Sequence, residues 1–399
     1  MERRKVTYQL YPTPSQAMRM LDLLRSHKDL WNAALEERID AWRKAAKSIS
    51  YAQQCASLTQ IRGELPEDWA AMNCSSQQIT LRRLDKAFAA FFRRVKAGQS
   101  PGFPRFKSMQ RMRGFGYKSH GDGWRFTPGA DCKHGTLRLQ GVGQIKARGQ
   151  ARTGGTIKSC ELVHRRGDWH VSLTIECAPS REGGAAAAAA DWGVEKLLSL
   201  VKSDGSVERI ENPRWFKTAQ ARLIALDKAV SRKKRGSKNW RRAKRASARL
   251  KAGIARRRLD HHHQLSARIA SEVAIFATEE LRVKNMTASA AGTIENPGSM
   301  VAQKAGLNRE ILDTAPSLLM QLIAYKVQET GGQFMQAPTR QLKPSQRCPS
   351  CWSLRKKTLN ERWHTCACGH EEDRDIAAAR VVLHWAMGSI PGQELPRAA

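Results

Sequence analysis

The stretch VAIFATEE, residues 273–280, places five apolar residues and a threonine directly before two carboxylates. A short, continuous apolar run is typical of a strand that is buried on both faces of a sheet. Such a strand delivers the side chain of Glu279 to its carboxyl end. The stretch therefore predicts a buried strand with an acid at its tip.

Two further acids occupy comparable places elsewhere in the chain. Asp191 follows the alanine run 185–190, which we interpret as a linker that passes into a buried strand, although its local propensity favours helix. Asp375 begins a helix whose first turn carries small residues, and such a helix can approach a sheet closely. Spacing alone does not join the three acids, because each taken singly is typical of a surface or capping residue.

The elements predicted from residue 187 onward run strand, strand, helix, strand, helix, strand, helix. This order favours an α/β core with helices packed on a mixed sheet. Residues 214–271 are the most basic part of this region, and they predict a helix pair that faces nucleic acid.

The overall charge points to a polyanionic partner. Lysine and arginine number 69 against 36 acidic residues, which gives a formal net charge of +33. Nucleic acid is the expected partner. No apolar run approaches the roughly 20 residues of a membrane span. The first ten residues, MERRKVTYQL, lack the apolar core of a signal peptide. Four of the nine cysteines crowd into residues 348–368, which suits a metal site in a reducing compartment, so a cytoplasmic location is expected.

The first hundred residues predict a basic helical module. A short strand over residues 5–10 precedes Thr13-Pro14-Ser15-Gln16, which supplies a helix cap, a first-turn proline and a capping-box glutamine. A second helix covers residues 77–96, and we expect its apolar stripe to be buried: Leu84, Ala87, Phe88, Phe91 and Val95.

From Pro101 onward, closely spaced prolines and a glycine stop the helical pattern and introduce a β-rich module. Apolar and polar residues alternate strictly from Trp169 to Cys177, which is the period of a half-buried strand. The preceding Arg165-Arg166-Gly167-Asp168 predicts a hairpin turn.

Two cysteine pairs predict a zinc site. Cys348-Pro349-Ser350-Cys351 and Cys366-Ala367-Cys368 together offer four thiolates, the ligand set of a zinc ribbon. The second pair is one residue shorter than the first, so His364 or His370 is an alternative ligand to Cys368.

Three segments resemble the RuvC motifs of the TnpB family of transposon-encoded, RNA-guided nucleases, and they occur in the family's order: ADWGV at 190–194, ATEELRVKNM at 277–286 and CGHEEDRDIAAA at 368–379. Shorter segments throughout the chain also match, namely LYPTPSQ, LWNAALEER, LRRLDKAFAAFFRR, GFPRFKS and SRKKRGSKN. The resemblance implies an RNase H-like nuclease core in which Asp191, Glu279 and Asp375 are catalytic and hold two magnesium ions about 3.5–4 Å apart. Asp373 is expected to support this site without binding metal.

The resemblance also implies a domain plan. A β-barrel-like wedge module spans residues 1–10 and 100–182, and a helical recognition module spans 11–99. A RuvC-like nuclease domain spans 185–399, with a zinc ribbon inserted at 345–371 and one structural zinc ion.

The implied partners are a guide RNA and target DNA, double-stranded and single-stranded, bound by one or two copies of the chain per RNA. Glutamine can bond adenine bidentately, and a basic groove contacts phosphates. The expected nucleic-acid contacts are Gln77, Gln78, Arg82, Arg83, Arg105, Lys107, Arg232, Lys233, Lys234, Arg235 and Lys238. For the two glutamines, a plain solvent-facing role is the alternative.

Other functions remain open at the level of sequence. Ala377 and Val381 stand where the family often has asparagine, which leaves room for an RNA-guided DNA-binding repressor with weak or no cleavage. A compact type V CRISPR effector shares the same motifs and differs in the source of its guide. A basic RNA-binding or architectural protein with an inert core is the alternative from another class.

Overall fold

The structure is a computed structural model that describes residues 2–64, 69, 72–151, 154–178, 181–358, 361–389 and 391. The chain divides into two compact units, residues 1–180 and residues 181–399.

A seven-stranded antiparallel sheet organises the first unit. Its strands are β1 (Glu2–Tyr11), β2 (Gly114–Tyr117), β3 (Trp124–Pro128), β4 (Lys133–Leu139), β5 (Gly143–Gln150), β6 (Thr156–Arg165) and β7 (Asp168–Cys177). They lie in the order β2-β6-β7-β1-β5-β4-β3, so the N-terminal strand is central. In the part of the chain that the structure describes, no ladder joins β2 to β3. The strand order therefore runs from β2 at one edge to β3 at the other, and the β-barrel-like form that the resemblance implies stays a prediction.

The predicted hairpin is confirmed. Residues of β7 alternate between buried and more exposed positions along its whole length. Arg166 and Gly167 adopt φ angles of 57° and 91° at the turn between β6 and β7. Two consecutive left-handed residues match the right-handed twist of a tight hairpin.

The described part of the first unit also contains the helices α1 (Pro14–Ala45), α2 (Tyr51–Glu64) and α3 (Cys74–Lys96). The predicted capping box is present, because the Thr13 hydroxyl accepts from the Gln16 N–H and the Gln16 side chain accepts from the Thr13 N–H. The first half of α1 packs on the sheet, and its second half packs on α2 and α3.

The apolar stripe of α3 is only partly covered. Leu84 is buried, and Phe88 and Phe91 are half-buried. Val95 is 50% exposed, so the prediction of a wholly buried stripe is wrong at its C-terminal end. The last turn of this helix faces solvent on its apolar side as well as on its basic side.

A mixed five-stranded sheet organises the second unit and confirms the predicted α/β class. Its strands are β8 (Ala186–Trp192), β9 (Lys196–Lys202), β10 (Val207–Glu211), β11 (Val273–Glu279) and β12 (Gln333–Ala337). They lie in the order β10-β9-β8-β11-β12, with β8 antiparallel to β9 and parallel to β11. The alanine run is therefore the central strand, because burial on both faces and pairing on both edges outweigh its helical propensity.

The helices of this unit are α4 (Trp215–Ser231), α5 (Lys238–Glu272), α6 (Val283–Met286), α7 (Val301–Thr314), α8 (Pro316–Glu329), α9 (Thr339–Leu342) and α10 (Arg374–Met387). The pair α4 and α5 matches the helix pair that the basic segment predicts. None of the helices in the described ranges is long and apolar enough to cross a membrane.

The two faces of the mixed sheet contact different helices. Ala188, Ala190 and Phe276 belong to a core cluster with α5 and α8. Ala187 and Ala189 belong to a separate cluster with α10. Their methyl side chains allow the helices to pack close to the central strand.

Candidate functional site: three carboxylates and four cysteines

Asp191 and Glu279 lie at the carboxyl ends of two neighbouring parallel strands. Ala190 on β8 pairs with Thr278 on β11, and each acid is the next residue of its strand. Residues in register on parallel strands project from the same face of a sheet. The two carboxylates therefore share one face and one edge of the sheet.

That face is the one that α10 covers. Side chains alternate between faces along a strand, so Asp191 points to the same side as Ala189, and Glu279 to the same side as Ala277. Both alanines belong to the cluster that contains α10, and the first turn of α10 carries Asp375. The three acids, which are far apart in sequence, thus meet at one edge of the sheet.

The electrostatics of the group agree with this proximity. Burial raises the pKa of Asp191 well above its usual value, and the negative charges of Glu279 and Asp375 raise this pKa further. The guanidinium of Arg374 acts in the opposite direction on the same pKa. Burial also raises the pKa of Glu279 to about 7. The site therefore concentrates negative charge whose repulsion a bound cation would relieve.

Carboxylate oxygens are the ligands that hard divalent cations such as Mg²⁺ prefer. The three carboxylates therefore offer the type of ligand that such cations take.

Asp373 fixes the start of α10. Its Oδ1 accepts hydrogen bonds from the backbone N–H groups of Asp375, at 3.0 Å, and Ile376, at 3.3 Å. Its Oδ2 lies 3.2 Å from the guanidinium of Arg209 on β10. Asp373 thus orients the turn that carries Asp375, which fits the supporting position expected for it.

The four cysteines converge on one point. The Sγ atoms of Cys348 and Cys368 are 3.7 Å apart, and those of Cys351 and Cys366 are 3.5 Å apart. A tetrahedral ion with Zn–S bonds of about 2.3 Å places its sulfurs about 3.8 Å from one another. The observed distances fit such an ion, so the short second pair is accommodated without a histidine ligand.

The cysteine cluster lies directly before α10. Cys366 and Cys368 occupy the turn between β13 (Trp363–Thr365) and β14 (Glu371–Asp373), which form a small antiparallel sheet. The backbone N–H of Cys368 lowers the pKa of Cys366 to about 6. This hydrogen bonding favours the thiolate, which is the form that binds zinc.

Two of the predicted nucleic-acid contacts in α3 have structural roles. Gln77 is fully buried, and its Oε1 accepts from Arg62 at 2.8 Å, so this structure does not present it to a base. Arg83 donates to the carbonyl of Gly114 at 2.9 Å and lies 3.2 Å from Glu161. Both side chains therefore hold α3 in place within the first unit.

The other contacts predicted in this unit differ in accessibility. Gln78 is half-buried beside Cys74, whereas Arg82 and Arg105 are exposed. Lys107 lies with its Nζ 3.3 Å from the ring centre of Trp31, and burial lowers the pKa of Lys107 to about 8. Its ammonium group is thus engaged with an aromatic ring inside the unit.

The predicted basic loop of the second unit is accessible. It joins α4 to α5, and its four predicted contacts are exposed, as is Lys238 at the first position of α5: Arg232, Lys233, Lys234, Arg235 and Lys238. Exposed cations on a loop are free to contact phosphates, so these contacts stay a prediction that the structure allows.

Sequence reasoning missed two arginines near the acids. Arg209 lies on β10, outside the motifs discussed above, and it is far from Asp373 in sequence but in contact with it in the folded chain. Arg374 stands next to Asp375 and lowers the pKa of Asp191. The adjacency of Arg374 and Asp375 is a signal that the sequence offers, whereas no local pattern marks Arg209.

Comparison with known families gives three matches along the chain. Residues 170–290 match a family described as "Probable transposase", and residues 317–382 match one described as "Cas12f1-like, TNB domain". Residues 1–47 match a family described as "Helix-turn-helix domain", although here they fold as β1 followed by the single long helix α1.

Full-length relatives agree with these matches. The chain is 30% identical over 383 residues to "Putative RNA-guided DNA endonuclease InsQ" of Escherichia coli (strain K12), covering 94% of this chain and 90% of that protein. It is 32% identical over 394 residues to "Putative RNA-guided DNA endonuclease" of Streptomyces pristinaespiralis, covering 96% and 89% respectively. The fold resembles that of a Cas12f1 chain solved as a Cas12f1-sgRNA-target DNA complex, with a TM-score of 0.59, 15% identity, and 92% and 82% of the two chains covered.

Both relatives, which this chain matches over nearly its whole length, carry the name of one class of protein, the RNA-guided DNA endonucleases. Within that class, the chain belongs to the TnpB family.

Proposed function

We propose that the chain is an RNA-guided DNA endonuclease of the RuvC type, which cleaves target DNA next to a short adjacent motif. The observation that carries this proposal is the meeting of Asp191, Glu279 and Asp375 at one edge of the mixed sheet. The names of the two relatives that cover most of the chain support the guided activity.

The three acids are the residues that would hold two magnesium ions. When bound, the ions supply activation of a water molecule and stabilisation of the leaving oxygen of a phosphodiester. β8 and β11 hold two of the carboxylates at the sheet edge. The small residues of α10, Ala377–Ala379, let that helix pack close enough to add Asp375.

The four cysteines would hold one structural zinc ion. The turn with Cys366 and Cys368 leads through β14 to Asp373, directly before α10. A zinc ion there would fix the segment that delivers Asp375. The zinc ion would position Asp375 and take no part in the cleavage itself, since its cysteine ligands are separate from the three carboxylates.

Guide RNA and target DNA are the proposed partners. The net charge of +33 and the exposed cations from Arg232 to Lys238 support binding along phosphate backbones. In RNA-guided nucleases, base pairing supplies the sequence readout, and the protein recognises duplex geometry and a short adjacent motif. The exposed Arg82 and the half-buried Gln78 remain proposed contacts.

The test is guided cleavage of a DNA library. The chain is purified with co-expressed RNA from the DNA that flanks its gene, and then incubated with Mg²⁺ and targets whose flanks are randomised. We expect cutting of targets that match the guide, with one short flank enriched, and no cutting with a scrambled guide. Guided binding without cutting would favour the repressor that Ala377 and Val381 suggest, and the absence of guided binding would contradict the proposal.

A further inference from the structure

An exposed aromatic cleft in the first unit has no part in the site described above. Its walls carry five aromatic side chains: Trp42, Phe88, Phe91, Phe92 and Phe103. The cleft has a volume of about 520 Å³, within the range of about 300–1,000 Å³ typical of ligand sites.

The four phenylalanine rings of this aromatic cleft contact one another, and the cleft is open to solvent. Phe103 contacts Phe88 and Phe91 edge-on, with ring centroids 5.5 Å and 5.3 Å apart. Trp42 is 63% exposed, Phe92 is 61% exposed and Phe103 is 47% exposed. A contiguous patch of large exposed aromatics is characteristic of an interaction surface.

The rim of the cleft is positively charged. Arg38, Arg43 and Lys47 line it, and no carboxylate does so among the described residues. Arg38 is held by Gln54 and Asp85, with its guanidinium 5.2 Å from the ring centre of Phe88. Arg43 and Lys47 are exposed. Open rings beside exposed cations form the surface that binds single-stranded nucleic acid, because bases stack on the rings while cations contact phosphates.

We propose that the aromatic cleft binds unpaired nucleotides of a single-stranded nucleic acid by base stacking. A paired base inside a duplex already has both faces covered, so the rings select unpaired bases or strand ends. A second copy of the chain is the alternative occupant. It is disfavoured because a two-fold contact would place two positive rims against each other.

The inference rests on the proposed function in one respect, that the chain binds unpaired nucleic acid. Its test requires neither magnesium nor cleavage. The full chain, freed of RNA, is titrated with a labelled single-stranded oligothymidine on the order of ten nucleotides long. The comparison strand has the same length and phosphates but abasic sites throughout. We expect the strand with bases to bind at least about tenfold more tightly than the abasic strand.

The double variant Trp42→Ala/Phe92→Ala should lose this preference for bases while keeping its affinity for the abasic strand. Both side chains are more than half exposed, so the fold should persist, which circular dichroism checks. Trp42→Phe keeps a ring and should retain most of the preference. Val95→Ala is the matched control, because Val95 is an exposed apolar residue of α3 outside the cleft.

Three results would overturn the inference. They are equal affinity of the wild-type chain for the two strands, an undiminished preference in the double variant, and self-association of the wild-type chain that the double variant abolishes. The last would assign the cleft to a second copy. Failure of guided cleavage alone would affect the proposed function and leave this comparison of strands unchanged.

Discussion

At the residue scale, Asp191 and Glu279 set the properties of the site. Two neighbouring strands place them at the same edge, where burial raises both pKa values and the charges of Glu279 and Asp375 add to the effect on Asp191. Such repulsion destabilises a protein that has no cation to offset it. The arrangement is therefore unfavourable for folding alone, which supports the proposed metal binding.

Replacing Glu279 by glutamine should stabilise the metal-free chain. Burial raises the pKa of Glu279 to about 7, so folding favours the protonated form of this side chain. The folded state therefore loses stability as the pH rises from the pKa of Glu279 in the unfolded chain to 7. The free energy of unfolding that Glu279→Gln gains over wild type should be near zero at a pH of about 4.5 and on the order of 1–3 kcal/mol at a pH of about 8. Thermal melting without Mg²⁺ at the two pH values measures it.

The matched control for this experiment is Glu280→Gln, since Glu280 is exposed and paired with Arg282 at 3.1 Å. This variant should change the melting temperature little at either pH. An equal gain for Glu279→Gln at both pH values would show that charge repulsion is not the cause.

At the element scale, α10 carries the third acid and depends on its cap. Asp373 accepts two backbone hydrogen bonds at the start of the helix and contacts Arg209. Asp373→Ala should lower stability by about 1 kcal/mol through loss of the cap, and should slow guided cleavage because Asp375 is less well oriented. Asp373→Asn keeps a capping oxygen and should retain most of the stability. Equal melting temperatures and rates for wild type and Asp373→Ala would contradict this role.

The cysteine cluster is a second element with a direct test. The purified chain should contain about one zinc ion, as expected for a four-thiolate site, and Cys348→Ser should lose it. Cys55→Ser is the control, because Cys55 lies outside the cluster and should not affect zinc content. Metal analysis of the three proteins decides the matter, and zinc retained in full by Cys348→Ser would exclude the proposed ligand set.

Local patterns predicted individual elements well and their contacts poorly. The alternation of Trp169–Cys177 and the Thr13 cap act over a few residues, so the sequence was sufficient for both. The burial of Gln77 and the exposure of Val95 depend on what packs over α3, which periodicity does not reveal.

At the scale of the whole molecule, the order and register of the strands bring the residues of the site together. The register of β8 with β11 joins residues that are far apart in the chain, and no local pattern encodes it. The resemblance to a family named the three acids, and the fold then supplied the physical reason for their meeting. The net charge of +33 was readable from composition, whereas the division between exposed cations and cations used in packing required the structure.

The most direct test of the central claim compares guided cleavage and guided binding in single variants of the acids. With Mg²⁺ and a matched guide, Asp191→Ala, Glu279→Ala and Asp375→Ala should each cut target DNA more slowly by about 100-fold or more, while binding it as wild type does. Glu371→Ala, at an exposed acid of β14, should cut normally. Undiminished cleavage in any of the three variants would contradict the account of a shared carboxylate centre.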